Sequence, residues 1–260
     1  MIPICPANDA HVKPTVGCVQ CRSNDTLGFD FEYAYQPIVN VKNRSIFGHE
    51  ALVRGPNGES AYSVLSQVND DNRYMFDQAC RVKAIRGAAQ LGIKEMLSIN
   101  FLPNAVYRPE ACIRSTLNAA REYNFPIERI IFEVTEGEQV MDRPHLVNIF
   151  EEYRRFGFSS AIDDFGAGYA GLNLLAEFQP DIVKIDMELV RDIDVKRSKQ
   201  VIVRAIVAIC AELNIKVLAE GIETPGERDF LSSAGVELMQ GYLFCKPAFK
   251  AIGEIAPGAW

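Results

Sequence analysis

Residues 159–186 have the sequence SSAIDDFGAGYAGLNLLAEFQPDIVKID, which contains two short apolar runs, Ser159–Phe165 and Asp181–Asp186. Each run has the length of a β-strand, and each holds an acidic residue near its end. Apolar residues at spacings of three and four, typical of a helix, precede the first run at Pro144–Phe156 and follow the second at Lys196–Leu213. The segment therefore predicts strands that alternate with helices.

The same alternation extends in both directions from this segment. Further strand candidates are Phe31–Val41, Ser45–Arg54, Met96–Phe101, Arg129–Thr135, Lys216–Glu220 and Val236–Tyr242. Further helical patterns are Arg73–Leu91, Glu110–Tyr123 and Pro225–Ala234. This order predicts an α/β fold, a (β/α)8-type TIM barrel. Only residues 42–44 separate the first two strand candidates, a hairpin spacing, so we expect a modified barrel with an antiparallel opening strand pair.

Charge and hydropathy limit the partners of the chain. A net charge of −7 argues against binding to polymeric nucleic acid or to anionic membranes. The most apolar stretch, Val201–Leu213, is interrupted by Arg204 and is too short to span a bilayer. The N-terminus lacks the pattern of a signal peptide, and the odd cysteine count does not indicate a disulfide framework. We therefore expect a cytoplasmic protein.

The first part of the chain differs from the rest because it shows little periodicity. We expect residues 1–30 to form an N-terminal extension and residues 31–260 to form the barrel. The extension contains Cys5, His11, Cys18 and Cys21. A structural zinc ion needs four ligands, commonly in two pairs, and only the C-x2-C pair is well spaced. A zinc site, a redox switch and a simple packed or disordered tail therefore all stay open.

Polar residues recur near the ends of the predicted strands. They are Glu50, Asn100, Glu133, Glu136, Asp163, Asp164, Lys184, Asp186, Glu220, Glu223 and Gln240. In a barrel the carboxyl ends of parallel strands meet at one mouth, so these side chains should converge. Carboxylate and amide oxygens are ligands for Mg²⁺ or Mn²⁺, and two such cations about 3.5–4 Å apart promote displacement at phosphorus. No histidine falls at a parallel strand end; His49, next to Glu50, should point to the opposite face and be structural.

Six ordered segments carry a resemblance to a known family. They are EALVR at 50–54, FEVTE at 132–136, DDFGAGYAGL at 163–172, VKID at 183–186, AEGIE at 219–223 and MQGYLFCKP at 239–247. Over residues 31–250 the chain resembles the EAL-domain family. The resemblance implies a phosphodiesterase that opens cyclic di-GMP, a bacterial second messenger, to linear pGpG with a two-metal site of Mg²⁺ or Mn²⁺. It also implies a homodimer, and a regulatory protein partner remains open.

The resemblance assigns roles around the metals. Glu50, Asn100, Glu133 and Asp163 look like ligands of one ion, and Asp163 with Asp164 look like ligands of the other, with Asp163 shared. Glu220 resembles the family's metal-associated or general-base glutamate. Lys184 looks like the lysine that holds the attacking water and nearby phosphate oxygens. Glu50, Asp163, Lys184 and Glu220 are therefore the expected catalytic residues.

Other matched positions are expected to contact substrate or to support the site. The expected substrate-binding residues are Gln36, Leu52, Arg54, Asp186, Gln240 and Pro247. Gln240 also resembles a residue near the metal and water, and Glu136 resembles the glutamate that holds the loop after Asp164. From the residues alone, Gln36 could instead cap a turn, and Pro247 could simply end the last strand. For Asp186 and Glu223, the sequence is equally compatible with a solvated or supporting role and with direct contact at the site.

Two other functions compete with the enzyme. Some family members have lost ligands and act as cyclic di-GMP receptors or protein-interaction modules. The ligand set is complete in this sequence, which favours an active enzyme. In the third hypothesis the N-terminal cysteines bind zinc or act as a redox switch that regulates the barrel.

Overall fold

The computed structural model describes residues 27–135, 143–167 and 171–260. Glu136 and the cysteines and histidine of the N-terminal extension lie outside the described residues. The main strands are β1 (Glu32–Asn40), β2 (Ser45–Arg54), β3 (Met96–Asn100), β4 (Ile130–Thr135), β5 (Ser159–Phe165), β6 (Ile182–Ile185), β7 (Lys216–Ala219), β8 (Leu238–Met239) and β9 (Ala248–Phe249). The helices are α1 (Ala61–Leu65), α2 (Arg73–Leu91), α3 (Pro109–Cys112), α4 (Arg114–Glu122), α5 (Arg143–Phe156), α6 (Gly171–Glu177), α7 (Met187–Val190), α8 (Arg197–Glu212) and α9 (Pro225–Ser233).

Eight strands close into a barrel, which confirms the predicted fold. Strands β2 to β8 pair in sequence order and in parallel. Strand β1 fills the gap between β8 and β2 and runs antiparallel to both. The opening hairpin is therefore antiparallel, as its three-residue connection predicts. Strand β9 pairs with β1 outside the closed ring.

The interior of the barrel has an apolar floor. Its buried members are Ile38, Ile131, Ala161, Ile182, Leu218 and Leu238. Because side chains alternate across a strand, the residue two positions nearer the mouth points into the same interior. Those residues are Gln36, Glu133, Asp163, Lys184, Glu220 and Gln240. Strands β1 and β4 to β8 thus each contribute one apolar residue to the floor, and the same six segments contribute one polar residue to the layer above it.

The opposite strand faces pack against the helices in a second, larger core. Leu97, Phe132 and Val183 are completely buried in this layer. Helix α2 comes closest to β1 at Gly87, where a Cβ atom would lie 2.2 Å from the hydroxyl oxygen of Tyr35. The same hydroxyl donates a hydrogen bond of 2.9 Å to the carbonyl of Ala84. The outer core therefore fixes the helices that surround the mouth.

The structure differs from the sequence predictions in its shorter elements. The helix expected over Glu110–Tyr123 is two helices, α3 and α4, which meet at Ile113. Strand β9 and helices α1, α6 and α7 were not predicted. In the part of the chain that the structure describes, no helix combines the length and the apolar character needed to cross a membrane.

Candidate functional site

A fully buried lysine lies at the centre of the polar layer. The Nζ atom of Lys184 on β6 is 2.8 Å from Glu220, 2.9 Å from Glu133 and 3.1 Å from Asp163. A fourth carboxylate, that of Glu50, is 3.6 Å away. These acids come from β2, β4, β5 and the end of β7, so the barrel brings together residues that are far apart in sequence.

Amide and hydroxyl groups hold the carboxylates in place. The side-chain nitrogen of Gln240 donates to Glu50 at 2.7 Å and to Gln36 at 3.0 Å. Asn100 donates to Glu50 at 3.2 Å, and the Ser98 hydroxyl donates to Glu133. Both oxygens of Glu50 therefore have hydrogen-bond donors, which orients this side chain toward Lys184.

The balance of charge in the layer is strongly negative. Burial opposes the charge on Lys184, yet the surrounding carboxylates raise its pKa well above the ordinary value. Burial also raises the pKa of Glu133 to about 8, against the effect of Lys184. The pKa of Glu220 is raised well above its usual value for the same reason. One ammonium group does not compensate this many carboxylates, so the layer binds protons or other cations.

Asp164 adds a further negative charge at the mouth. Its φ angle of 54° places it in the left-handed region, which aspartate tolerates better than most residues. Its backbone N–H donates to the carboxylate of Asp163 at 2.9 Å. Burial, followed by the charges of Asp163 and Asp186, raises the pKa of Asp164 to about 6. The turn therefore holds two adjacent carboxylates at one place on the rim.

The donor set fits divalent cations. Glu50, Glu133 and Asp163 each bring a carboxylate oxygen within 4.8 Å of the others, and Asp163, Asp164 and Glu220 do the same. The two groups share Asp163, as expected for a pair of neighbouring cations. When all five carboxylates ionise around one ammonium, they leave an excess of negative charge that hard cations can neutralise. A half-turn of the Asn100 amide, which now donates to Glu50, would present its oxygen as a further ligand.

Above this layer lies a cleft of about 270 Å³. Predicted site residues that line it are Gln36, Glu50, Leu52, Asp163, Asp164, Asp186, Glu220 and Gln240. Lys184 and Glu133 lie beneath its floor, fully or almost fully buried. The Oε1 atom of Gln240 is buried and accepts no hydrogen bond from any described residue, which leaves one acceptor of the polar layer unsatisfied.

Two predicted substrate residues lie outside the lining of the cleft. Arg54 ends β2, and its guanidinium donates to the carbonyl of Val53 at 2.7 Å. Pro247 directly precedes β9. Asp186 lines the cleft, but one of its oxygens accepts a hydrogen bond from the Glu188 N–H and so caps α7. The roles predicted for Arg54 and Pro247 therefore remain predictions.

Several residues at the site were missed by sequence reasoning. Ser98 lies two residues before Asn100 on β3, so the strand period could have identified it. Met187 and Tyr242 line the cleft and are 45% and 55% exposed. They carry no charge and no metal-ligand atom, and only their places beside Asp186 and Gly241 could have suggested them. Glu223 also lines the cleft and forms an ion pair of 2.7 Å with Arg191.

The fold and the site together define a class of protein. It is an α/β barrel whose mouth carries several carboxylates around one buried lysine, a set suited to divalent cations and to phosphate chemistry. The family model for the EAL domain matches residues 23–247. The chain belongs to the EAL-domain family.

Solved structures of similar proteins include ligand complexes. A standalone versatile EAL protein from Vibrio cholerae O395, in its c-di-GMP-bound form, is 57% identical with a TM-score of 0.88, and the match covers 90% of this chain and 99% of that one. Klebsiella pneumoniae BlrP1, in complex with manganese and cyclic di-GMP, is 38% identical with a TM-score of 0.83. That match covers 88% of this chain and 58% of BlrP1. Both relatives thus bind the dinucleotide named in their descriptions.

Curated relatives include both an antirepressor and an enzyme. The blue light- and temperature-regulated antirepressor BluF of Escherichia coli K12 is 36% identical over 238 residues, 91% of this chain. Cyclic di-GMP phosphodiesterase PdeR of the same organism is 39% identical over 127 residues, 49% of this chain. The matches span only 58% of BluF and 19% of PdeR. The family therefore contains proteins with different activities.

Proposed function

We propose that this protein is a metal-dependent phosphodiesterase that hydrolyses cyclic di-GMP to linear pGpG. The observation that carries the proposal is the complete set of acids around Lys184 beneath an open cleft. The cyclic di-GMP bound to the similar Vibrio cholerae protein supports the choice of substrate.

The proposed metal ligands form two groups that share one residue. Glu50, Asn100, Glu133 and Asp163 would hold one Mg²⁺ or Mn²⁺ ion, and Asp163, Asp164 and Glu220 would hold the second. Such ions, when bound, lower the pKa of water and stabilise negative charge on phosphate oxygens. Gln240 keeps Glu50 in place through its hydrogen bond of 2.7 Å.

The remaining groups orient the substrate and move protons. Water attacks phosphorus, a new P–O bond forms, and the P–O bond to the 3′ oxygen breaks. Glu220 accepts the proton of the water, while Lys184, 2.8 Å from its Oε1, stabilises the charge on the phosphoryl oxygens. The leaving 3′ oxygen takes up a proton, so that the product carries a 5′ phosphate and a 3′ hydroxyl.

Substrate contacts are assigned to the walls of the cleft. Gln36, Leu52, Asp186 and Gln240 line it and border the dinucleotide. Arg54 reaches a phosphate or sugar after releasing the carbonyl of Val53, because its planar fork suits phosphate oxygens. Pro247 borders a guanine.

The direct test is turnover of cyclic di-GMP by the purified protein with Mg²⁺, Mn²⁺, Ca²⁺ or a chelator. Formation of pGpG that requires Mg²⁺ or Mn²⁺ is the expected result. Binding of cyclic di-GMP without any product would instead favour a receptor. The similarity to the antirepressor BluF supports this second candidate function.

Glu50→Ala tests the metal assignment. We expect turnover to fall by at least about 100-fold, since a ligand is lost, while the protein stays folded. Glu237→Ala is the matched control, because this acid is exposed and pairs with Lys42 at the opposite end of the barrel. Product chromatography measures the activity and circular dichroism the fold. Wild-type turnover by folded Glu50→Ala protein would refute the assignment.

We also propose that the protein forms a homodimer through α8. The helix exposes an apolar stripe at Val201, Ile202 and Ile209, with exposed fractions of 56%, 46% and 37%. Ile202 and Ile209 are seven residues apart and so lie on one side of the helix, an arrangement that favours an interface over scattered exposed residues. Ile202→Glu should shift the sedimentation coefficient to that of a monomer. Tyr62→Glu is the control, because it changes an exposed aromatic residue on α1, and it should leave the sedimentation coefficient unchanged. An unchanged dimer in Ile202→Glu would exclude α8 as the interface.

A further inference from the structure

A buried ion pair lies outside the cleft, between α2 and the outer face of the sheet. Asp77 and Arg81 of α2 are 1% and 0% exposed, and their Oδ2 and Nη2 atoms are 2.9 Å apart. Burying both charges is unfavourable unless surrounding groups compensate. Burial raises the pKa of Asp77 even though Arg81 opposes this shift. Solubility and surface charge therefore do not explain why these two charged residues are buried here.

Aromatic rings surround the buried guanidinium group. The Cζ atom of Arg81 lies 4.8 Å from the ring centre of Phe132, 5.4 Å from that of Tyr153 and 5.5 Å from that of Phe101. The Nη1 atom of Arg81 also donates a hydrogen bond of 2.7 Å to the hydroxyl of Tyr153. The group is thus held by one anion, one hydroxyl and three ring faces.

Two of these rings are direct chain neighbours of proposed metal ligands. Phe101 follows Asn100, and Phe132 precedes Glu133. Because adjacent residues of a strand point to opposite faces, Phe132 faces the helices while Glu133 faces the barrel interior. Arg81 therefore contacts side chains on the outer side of the same two chain segments that present ligands on the inner side.

The carboxylate of Asp77 is attached to this backbone as well. Its Oδ1 atom accepts a hydrogen bond of 2.9 Å from the N–H of Leu102, two residues after Asn100. The N–H of Phe101 donates to the carbonyl of Glu133 at 3.1 Å. The segment that carries Asn100 is thus tied on one side to β4 and on the other to α2.

We propose that Asp77, Arg81 and Tyr153 are positioning residues that set Asn100 and Glu133 for cation binding from the outer face of the barrel. The inference rests on the proposed metal site. If the network served packing alone, its loss would lower stability and leave cation affinity unchanged. Groups that are hydrogen-bonded to a ligand commonly change metal affinity by about 10–100-fold when they are removed; this network acts through chain neighbours of the ligands, so we expect an effect at the lower end of that range.

Two conservative variants test this proposal in the full chain. Tyr153→Phe keeps the ring and removes the hydroxyl that Arg81 contacts. Asp77→Asn keeps an oxygen for the Leu102 N–H and removes the charge. We expect each to raise the dissociation constant of Mn²⁺, measured by calorimetry and by the free-ion electron paramagnetic resonance signal, by about 10-fold. At saturating Mn²⁺ the turnover of cyclic di-GMP should recover in large part.

Ile215→Val is the control, because this buried residue precedes β7 at the end of the barrel away from the mouth. It should leave Mn²⁺ affinity unchanged. Mn²⁺ dissociation constants within twofold of wild type in folded Tyr153→Phe would overturn the inference, as would equal weakening in Ile215→Val. Should Asp77→Asn fail to fold, Tyr153→Phe decides alone. A wild-type protein that binds no Mn²⁺ would overturn the metal site and this inference together.

Discussion

At the scale of single residues, the site depends on one ammonium group shared by several acids. Lys184 is fully buried and lies within 3.1 Å of Glu133, Asp163 and Glu220. Without that cation the acids would repel one another in a medium where charge is poorly screened. Lys184 therefore serves the stability of the metal-free protein as well as its proposed chemistry.

Lys184→Met tests this double role. Removing one partner of a buried ion pair commonly lowers the free energy of unfolding by about 3–5 kcal/mol, and we expect a loss of this size at pH 8 in chelator. A carboxyl whose pKa is raised on folding stabilises the protein below its unfolded pKa and loses that contribution as pH rises through its folded pKa. Glu133, with a pKa of about 8, places this loss between about pH 4.5 and pH 8.

The loss in Lys184→Met should accordingly be smaller at pH 6 than at pH 8. Urea unfolding at both pH values measures it. Added Mn²⁺ should restore part of the stability, because it replaces the missing positive charge. Equal stability of the variant and the wild type in chelator at pH 8 would show that the acids do not depend on Lys184.

Much of the site could be predicted from residue identity and strand position. Glu50, Asp163 and Lys184 are polar residues in apolar strands, so they stand out, and the closed barrel brings them together. Tyr242 carries no comparable signal, since an aromatic residue in a loop is compatible with many roles. The Asp77–Arg81 pair lies within a helical pattern, where charges usually face solvent, so its burial depends on packing that the sequence does not reveal.

At the scale of elements, long periodic segments were the most predictable. The helix predicted at Arg73–Leu91 matches α2 over its full length, and its buried residues recur at spacings of three and four although Asp77 and Arg81 lie among them. Helix α7 spans four residues and strand β9 only two, and neither length can show a period. Their positions follow instead from tertiary contacts, such as the pairing of β9 with β1.

The contact between α2 and β1 gives a prediction at this scale. In Gly87→Ala the new Cβ atom would meet the Tyr35 hydroxyl at 2.2 Å, so we expect the free energy of unfolding to fall by about 1–3 kcal/mol despite the better helix propensity of alanine. Chemical denaturation measures the change. In a Tyr35→Phe background the next atom is 3.3 Å away, so Gly87→Ala should be less destabilising there. Strict additivity of the two changes would contradict the close contact.

At the scale of the whole molecule, an antiparallel first strand closes the barrel. Strand β1 pairs with β2 over nine positions and with β8 over two, so closure relies on a short second seam. The spacing of the first two strand candidates predicted the hairpin. The pairing of β1 with β8 could not be assigned from the sequence, because it joins segments almost 200 residues apart and depends on ring closure.

His49 gives a prediction for the global pH dependence of stability. It is almost fully buried on β2, its ring nitrogens have no hydrogen-bond partner among the described residues, and burial lowers its pKa. The unfolded chain, with a histidine pKa of about 6.5, therefore binds a proton more readily at this group than the folded protein does. The contribution of His49 to the free energy of unfolding is fully present above about pH 6.5. It decreases as the pH falls below that value, by up to about 1.4 kcal/mol per pH unit.

His49→Leu should remove this dependence. Between pH 7.5 and pH 5.5 the wild type should lose about 1 kcal/mol more unfolding free energy than the variant, as measured by urea denaturation. The nearby Glu95 opposes the effect only in part. Parallel pH profiles for the two proteins would show that folding does not lower the pKa of His49.

Because β1 runs against its neighbours, the chain enters the barrel at the end where substrate enters. Glu32, the first residue of β1, pairs with Arg54, the last residue of β2, at the level of the mouth. In a barrel whose strands are all parallel, the first strand begins at the opposite end. Only residues 33–35 separate Glu32 from Gln36, whose side chain accepts a hydrogen bond from Gln240. A displacement of β1 at the mouth would thus reach this hydrogen bond within a few residues, without crossing the molecule.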